Sequence, residues 1–172
     1  MTGAAIDADE FDETDLELLG CIEDDFDVSL DTLANELDLS KSAVHYRLNK
    51  LKENDVIQGI TADLNPVSFG LTMVAITEVA VTHEHGYSEN VGTELAELNG
   101  VEQVYYTMGD VDFVVISRVQ DRTQMNEIIE DMVAIDSVNE TSSRFVMDEI
   151  ATNPKFMANL SDEMRSNLAD GA

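Results

Sequence analysis

Leu33-Ala34-Asn35-Glu36-Leu37-Asp38-Leu39-Ser40-Lys41-Ser42-Ala43-Val44-His45-Tyr46-Arg47-Leu48-Asn49-Lys50-Leu51 holds two helical patterns separated by a tight turn. Leu30, Leu33, Ala34 and Leu37 keep helical spacing behind Ser29, a side chain suited to capping a helix. Asp38-Leu39-Ser40 is a short turn, and apolar Leu39 is expected to plug the angle between two helices. Ser40 then caps a further helix running to about Glu53. Read around its axis at about 100° per residue, that helix stacks Val44, Leu48 and Leu51 on a core side. Ser42, Tyr46 and Asn49 face the opposite way, His45 and Lys50 flank them, and Lys41, Arg47 and Lys52 sit nearer the edges. Two short helices, a tight turn and a basic helix form a helix-turn-helix pattern. Small or hydrogen-bonding groups toward base edges, with cations reaching phosphates, are what a groove-reading helix needs.

The charge balance sharpens this reading. The 172 residues hold 36 acids against 9 bases, a formal net charge of -27. Bulk attraction to nucleic acid or to a membrane surface is excluded as a binding mode. No Lys or Arg precedes Lys41, yet Lys41, Arg47, Lys50 and Lys52 fall within one helix length. Residues 1–64 carry 17 acids and 4 bases, so binding to DNA must rest on close contacts, with a shallow dependence on salt. Acid spread along the whole chain with only four lysines suits a protein working in concentrated salt, and a halophilic source is the expectation. One cysteine excludes a disulfide scaffold and any CxxC motif. The apolar runs are too short to span a bilayer and the start of the chain is no secretion signal, so a cytoplasmic protein is expected.

N-terminal to this block, Asp12 caps a first helix and Asp15 lies three residues on, close to a capping box. Leu16, Leu19, Cys21, Ile22 and Phe26 form its apolar stripe. On the other side, Asn54-Asp55 is a turn, and Val56, Ile57, Ile60 and Ala62 predict a strand broken at Gly59, with Pro66 as a boundary.

The second half alternates strand and helix patterns. Strands are expected at Leu71–Val81, Val101–Met108, Phe113–Val119 and Val138–Val146, and helices at Ser88–Leu98 and Gln124–Val133. The order βαββαβ is a ferredoxin-like sheet with both helices on one face, leaving the other face in need of cover. An RNA-recognition module has the same order but needs a basic, aromatic third strand; Asp112-Phe113-Val114-Val115-Ile116 is neither, so RNA binding is rejected. The fold class is therefore α+β, an N-terminal helix-turn-helix domain joined by a strand to a ferredoxin-like domain.

Here the chain resembles the Lrp/AsnC, or feast/famine, transcription regulators. The resemblance rests on Asp12-Glu13-Thr14-Asp15, the block Leu33–Val44, the stretch Arg47-Leu48-Asn49-Lys50-Leu51, the block Val56–Pro66, and more loosely Met108-Gly109-Asp110-Val111-Asp112. It covers about residues 11–150. It implies double-stranded DNA as partner, a homodimer through packed sheets, higher assembly such as an octamer, and a small amino-acid effector. By that resemblance Gly109, Asp110 and Asp112 are carried over as effector-binding, with Thr141 and Ser143 on one side of the fourth strand supplying hydroxyls. On their own, Gly109-Asp110 read as a hairpin turn. The DNA-binding set is Ser40, Lys41, Ser42, His45, Tyr46, Arg47, Asn49, Lys50 and Lys52. Members of the family usually carry more base on this helix, and His45 and Tyr46 stand at variable positions, so no operator is carried over.

Other groups read as structural. His83, Glu84 and His85 splay from an extended loop without a third distant ligand, so no metal is expected. Cys21 reads as a buried thiol, and Met73, Met108, Met125, Met132 and Met147 as core filler. No phosphate loop, nucleophile set or carboxylate pair suggests an enzyme, and no cofactor is expected. Phe156, Met157, Leu160, Met164 and Leu168 predict one amphipathic helix opening near Pro154, packed on its own domain or a partner subunit. The expected division is 1–10 as a disordered acidic start, 11–64 as the DNA-binding domain, 65–150 as the effector and dimerisation domain, 151–172 as a helical extension, and the last four residues disordered. Two other functions fit the same residues: an architectural DNA-compacting protein of this fold, and a standalone metabolite-binding dimer.

Overall fold

The computed structural model describes residues 12–25, 27–59, 61–83, 87–152 and 155–169. The acidic start, Phe26, Ile60, Glu84, His85, Pro154 and the last three residues lie outside the described set. The chain divides into two compact units, Met1–Asp63 with Ala151–Ala172, and Leu64–Ile150.

The first unit holds α1 (Glu13–Asp24), α2 (Leu30–Glu36) and α3 (Lys41–Glu53). All three begin on the expected caps: Asp12 and Asp15 close a full capping box, Ser29 accepts from the Thr32 amide, and Ser40 accepts from the Ala43 amide. Both later helices end through a left-handed residue. Asp38 (φ 51) lets the Leu39 amide reach Ala34 O at 2.9 Å, and Asp55 (φ 60) lets the Val56 amide reach Leu51 O at 2.9 Å. The second cap explains a departure from the sequence reading. Val56 and Ile57 both donate to Leu51 O, so their amides are used in closing α3, and no strand forms among the described residues between 56 and 65. The core of this unit is Leu18, Leu33, Ala34, Val44 and Leu51, with Leu39, Leu48 and Cys21 packed against it. Leu18, fully buried, was absent from the expected stripe of α1.

The C-terminal segment is not one helix. A 3-10 turn at Met157–Asn159 is followed, after Leu160-Ser161, by α6 (Asp162–Ala169). The break comes where Ser161 turns its hydroxyl to accept from the Met164 amide, capping a new helix whose first turn is acidic. This segment docks on α1. Met157 is buried, the Glu23 carboxylate accepts from the amides of Phe156 and Met157, and Lys155 pairs with Asp24 at 2.8 Å.

The second unit is a four-stranded antiparallel sheet in the order β2-β3-β1-β4, from β1 (Met73–Val81), β2 (Val101–Tyr106), β3 (Phe113–Val119) and β4 (Val138–Phe145). Val91 and Leu95 of α4 (Tyr87–Glu97) and Met125, Ile128 and Met132 of α5 (Arg122–Ala134) join Ala75, Val79, Phe113 and Val115 in one core. Both helices thus cover one face, as the βαββαβ order requires. Of the methionines expected as filler, Met125 and Met132 are buried, while Met108 and Met147 are almost fully exposed. The opposite face presents Ile76, Val114 and Ile116, bordered by a Glu78–Arg144 ion pair. On the same face, Arg118 binds Glu149 through both terminal nitrogens and Glu102 through Nε, which outweighs burial and holds the guanidinium above its usual range.

Candidate nucleic-acid interface

α3 is the least acidic of the long helices: its one acid, Glu53, is its last residue. Its core row is Val44, Leu48 and Leu51, and the outward row of Ser42, His45, Tyr46 and Asn49 is exposed. Tyr46 is 69% exposed, an unusual cost for an aromatic ring without a partner to cover it. Asn49 Nδ2 lies 3.2 Å from His45 Nδ1, one helical turn away, so these two side chains form one polar platform.

The expected cations are not equivalent. Lys52 is exposed and Lys50 half-buried, both in the last turn, where the helix dipole favours positive charge. Lys41 pairs with Asp31, but both side chains are about two-thirds exposed, and such a surface pair is worth so little that a phosphate can replace it. Arg47 differs. It bonds Asp12 at 2.8 and 2.9 Å and Asp15 at 2.6 Å, with its side chain only 25% exposed. The two carboxylates lift the guanidinium above its ordinary range. Burial works to raise the Asp12 carboxyl, but Arg47 and the helix amides outweigh it and hold it below the usual carboxylate range. Arg47 is thus held by carboxylates of its own unit, where the sequence reading places it toward phosphates. Ser40 is likewise committed as the cap of α3.

The residues expected to hold an effector fall at two places in the sheet unit, the β2–β3 turn and β4. Gly109 (φ 151) and Asp110 form the β2–β3 turn, as read. Asp112 sits at the mouth of that turn, where its carboxylate accepts from the Val81 amide at 2.9 Å and meets His83 Nε2 at 2.6 Å. Burial opposes ionisation there, but these two bonds prevail and keep the carboxyl below the usual range. Thr141 and Ser143 lie across from Val79 and Thr77, on the edge strand at the far side of β1 and on the helix-covered face. Ser143 bonds the fully buried Thr77 hydroxyl at 2.8 Å. That bond stitches β1 to β4. Among the described residues, no group of three His, Cys, Asp or Glu side chains is placed to hold a metal. Burial pushes the half-buried Cys21 thiol up, as do Glu36 and nearby acids, which disfavours the thiolate.

Residues 11–58 match the family model of winged helix-turn-helix DNA-binding domains, and residues 74–156 that of the Lrp/AsnC ligand binding domain. The regulator LysM of Saccharolobus solfataricus is 30% identical over 79% of this chain and 93% of its own length. The chain belongs to the Lrp/AsnC family. It is a DNA-binding transcription regulator and not an enzyme, as its relatives are named. The regulator FL11 of Pyrococcus horikoshii is 29% identical over 79% of this chain and 89% of its own. Two solved structures share the fold: a Neisseria meningitidis transcriptional regulator in complex with L-Met (TM-score 0.80, 21% identity, 87% of this chain and 97% of that one) and Escherichia coli AsnC (0.76, 19%, 83% and 96%). The Lrp/AsnC model ends inside the C-terminal segment, so α6 lies beyond what the family match covers.

The pairing of Arg47 with Asp15 escaped the sequence reading, although a signal was present. Asp15, Leu18, Leu19 and Ile22 follow helical spacing, as do Val44, Arg47, Leu48 and Leu51. An acid on one apolar stripe and a cation on another are each costly to bury alone, and pairing resolves both.

Proposed function

We propose that this Lrp/AsnC regulator reads a palindromic operator by laying α3 in the major groove. Ser42, His45, Tyr46 and Asn49 meet base edges, and Lys41, Lys50 and Lys52 meet phosphates. The observation that carries this is the composition of α3 itself: in a chain with 36 acids, its outward row from Ser42 to Asn49 has none, and its one acid is Glu53 at the very end. Two copies supply two reader helices about 34 Å apart. The exposed Ile76, with Val114 and Ile116 beside it, gives a second copy of the sheet an apolar face to cover, and further assembly to an octamer follows the same logic of shared surfaces. The effector is a small amino acid. The L-Met bound by the Neisseria meningitidis relative supports that chemistry, and the Gly109-Asp110 turn with its backbone amides suits a carboxylate and an ammonium. With β1 between β4 and the strands of that turn, another copy is expected to complete such a site.

The test is a binding titration against an operator selected from genomic DNA. Replacing Tyr46 and Asn49 by Ala is expected to cost about 1–3 kcal/mol of operator binding and to flatten discrimination between sites. Replacing Lys50 and Lys52 by Ala should weaken all duplexes alike and reduce the salt slope. Equal binding of operator and random duplex by the unaltered protein would favour the DNA-compacting alternative instead.

The acidic surface supports a protein adapted to concentrated salt. Dialysis into dilute buffer is expected to unfold or dissociate it, with recovery of sedimentation and circular dichroism at molar salt. A chain that stays folded and assembled in dilute buffer would remove that reading.

A further inference from the structure

The reading of α3 as the DNA-contacting helix leaves Arg47 without a direct role, and the geometry points to one. We infer that Arg47 is a positioning residue that fixes the rotation and tilt of α3 against the N-terminus of α1, so that Tyr46 and Asn49 present to the groove in one orientation.

The arrangement is a closed cluster of three side chains. Asp12 and Asp15 first cap each other: the Asp15 amide donates to Asp12 Oδ1 at 2.9 Å and the Asp12 amide to Asp15 Oδ2 at 3.3 Å. Arg47 then reaches across from the middle of α3. Its Nη1 donates to Asp12 Oδ1 at 2.9 Å and to Asp15 Oδ1 at 2.6 Å, and its Nη2 lies 2.8 Å from Asp12 Oδ2. Both Asp12 oxygens are engaged by one planar fork, which fixes direction as well as distance. Asp15 is buried, so its charge has no alternative partner in solvent. Arg47 adjoins Tyr46 in sequence and lies two residues from Asn49 and three from Lys50. A rotation of α3 that broke the fork would carry all three with it. A phosphate drawing Arg47 away would leave Asp15 buried and unpaired and would itself approach two carboxylates.

Positioning and phosphate contact predict opposite signs for one substitution. Asp15→Asn removes a negative charge from the DNA-reading unit and weakens the hold on Arg47. If Arg47 served a phosphate, binding would tighten. As a positioning residue, Asp15→Asn should weaken operator binding about tenfold or more while leaving random-duplex binding unchanged or slightly stronger. Arg47→Gln should do the same with an unaltered salt slope, whereas loss of a phosphate contact lowers that slope by about 0.9. Arg47→Lys keeps the charge but not the fork, and should recover stability more than it recovers operator discrimination. The double variant Asp15→Asn with Arg47→Gln should discriminate no worse than Arg47→Gln alone.

Each titration is run on the full chain in molar salt, with circular dichroism on the same samples. Asp12→Asn, at the more exposed end of the fork, serves if the Asp15 variant does not fold. A tighter Asp15→Asn or Asp12→Asn complex, or a reduced salt slope in Arg47→Gln, overturns the inference. So does full operator discrimination in a folded Arg47→Gln variant. If Tyr46→Ala and Asn49→Ala leave binding untouched, it is instead the assignment of α3 as reader that fails.

Discussion

A chain stopped after Ile150 is expected to lose about 2–4 kcal/mol of stability from its helical unit and almost none from its sheet. The C-terminal segment contributes a buried side chain, Met157, which is 5% exposed. Deleting a buried Met side chain costs about 2–5 kcal/mol, and here the open edge of α1 softens the loss by admitting water. The segment also satisfies Glu23, which accepts the Met157 amide at 2.6 Å and that of Phe156 beside it. Arg165 closes the turn by donating to Met157 O at 2.5 Å. The Lys155–Asp24 pair adds little, since both partners are exposed. Native-state hydrogen exchange is the measurement: the α1 amides should lose protection in the shortened chain while those of β1 and β3 keep theirs. Met157→Ala should reproduce most of the effect without removing the rest. Equal protection of α1 in both chains would mean that the segment rests on the unit without holding it.

Gly100→Ala is the substitution expected to damage the sheet unit most for its size, by about 2–3 kcal/mol. Gly100 ends the loop between α4 and β2 at φ 87, a conformation that costs a side chain about 1 kcal/mol or more. A methyl group there would meet Ile128 Cδ1 at 2.8 Å, Val119 Cγ1 at 3.1 Å and Arg118 O at 3.3 Å. Ile128 can swing its terminal methyl away, but the carbonyl of Arg118 belongs to β3 and cannot. Gly100 O also accepts from the Arg118 amide at 2.7 Å, so any backbone shift breaks a strand bond. Gly109→Ala is the control. It has positive φ too, yet nothing lies within 4 Å of its added methyl, so its cost is the backbone's alone. Denaturant midpoints for both variants, in the same high salt, separate packing from conformation. Equal losses would show that the crowding at Gly100 relaxes freely.

What the sequence disclosed follows from the range of each interaction. The caps at Asp12, Ser29 and Ser40 were readable because each side chain bonds an amide three residues away. The core row of α3 and the strand order were readable from period alone, since a repeat of 3.6 or 2 is a local property. Val56 and Ile57 misled for the same reason: a β-branched pair looks like a strand wherever it lies, and only the left-handed Asp55 shows that their amides turn back into α3. Met108 and Met147 lie exposed against the expectation because hydrophobicity does not distinguish a turn tip from a core. The fork at Arg47 joins residues 32 and 35 positions apart, and the clasp at Glu23 joins residues more than 130 apart. No periodicity reports such distances. The effector positions came from family resemblance alone: they fall in the β2–β3 turn and on β4, and the sheet order, which no local period reports, sets β1 between β3 and β4.

The polypeptide quits the helical unit at Asp63 and comes home to it at Ala151. The ligand-binding domain is thus threaded into its host as an insert, fastened at both ends. Cutting this regulator at its linker, the ordinary way to liberate a DNA-binding headpiece, would sever the headpiece from its own keystone.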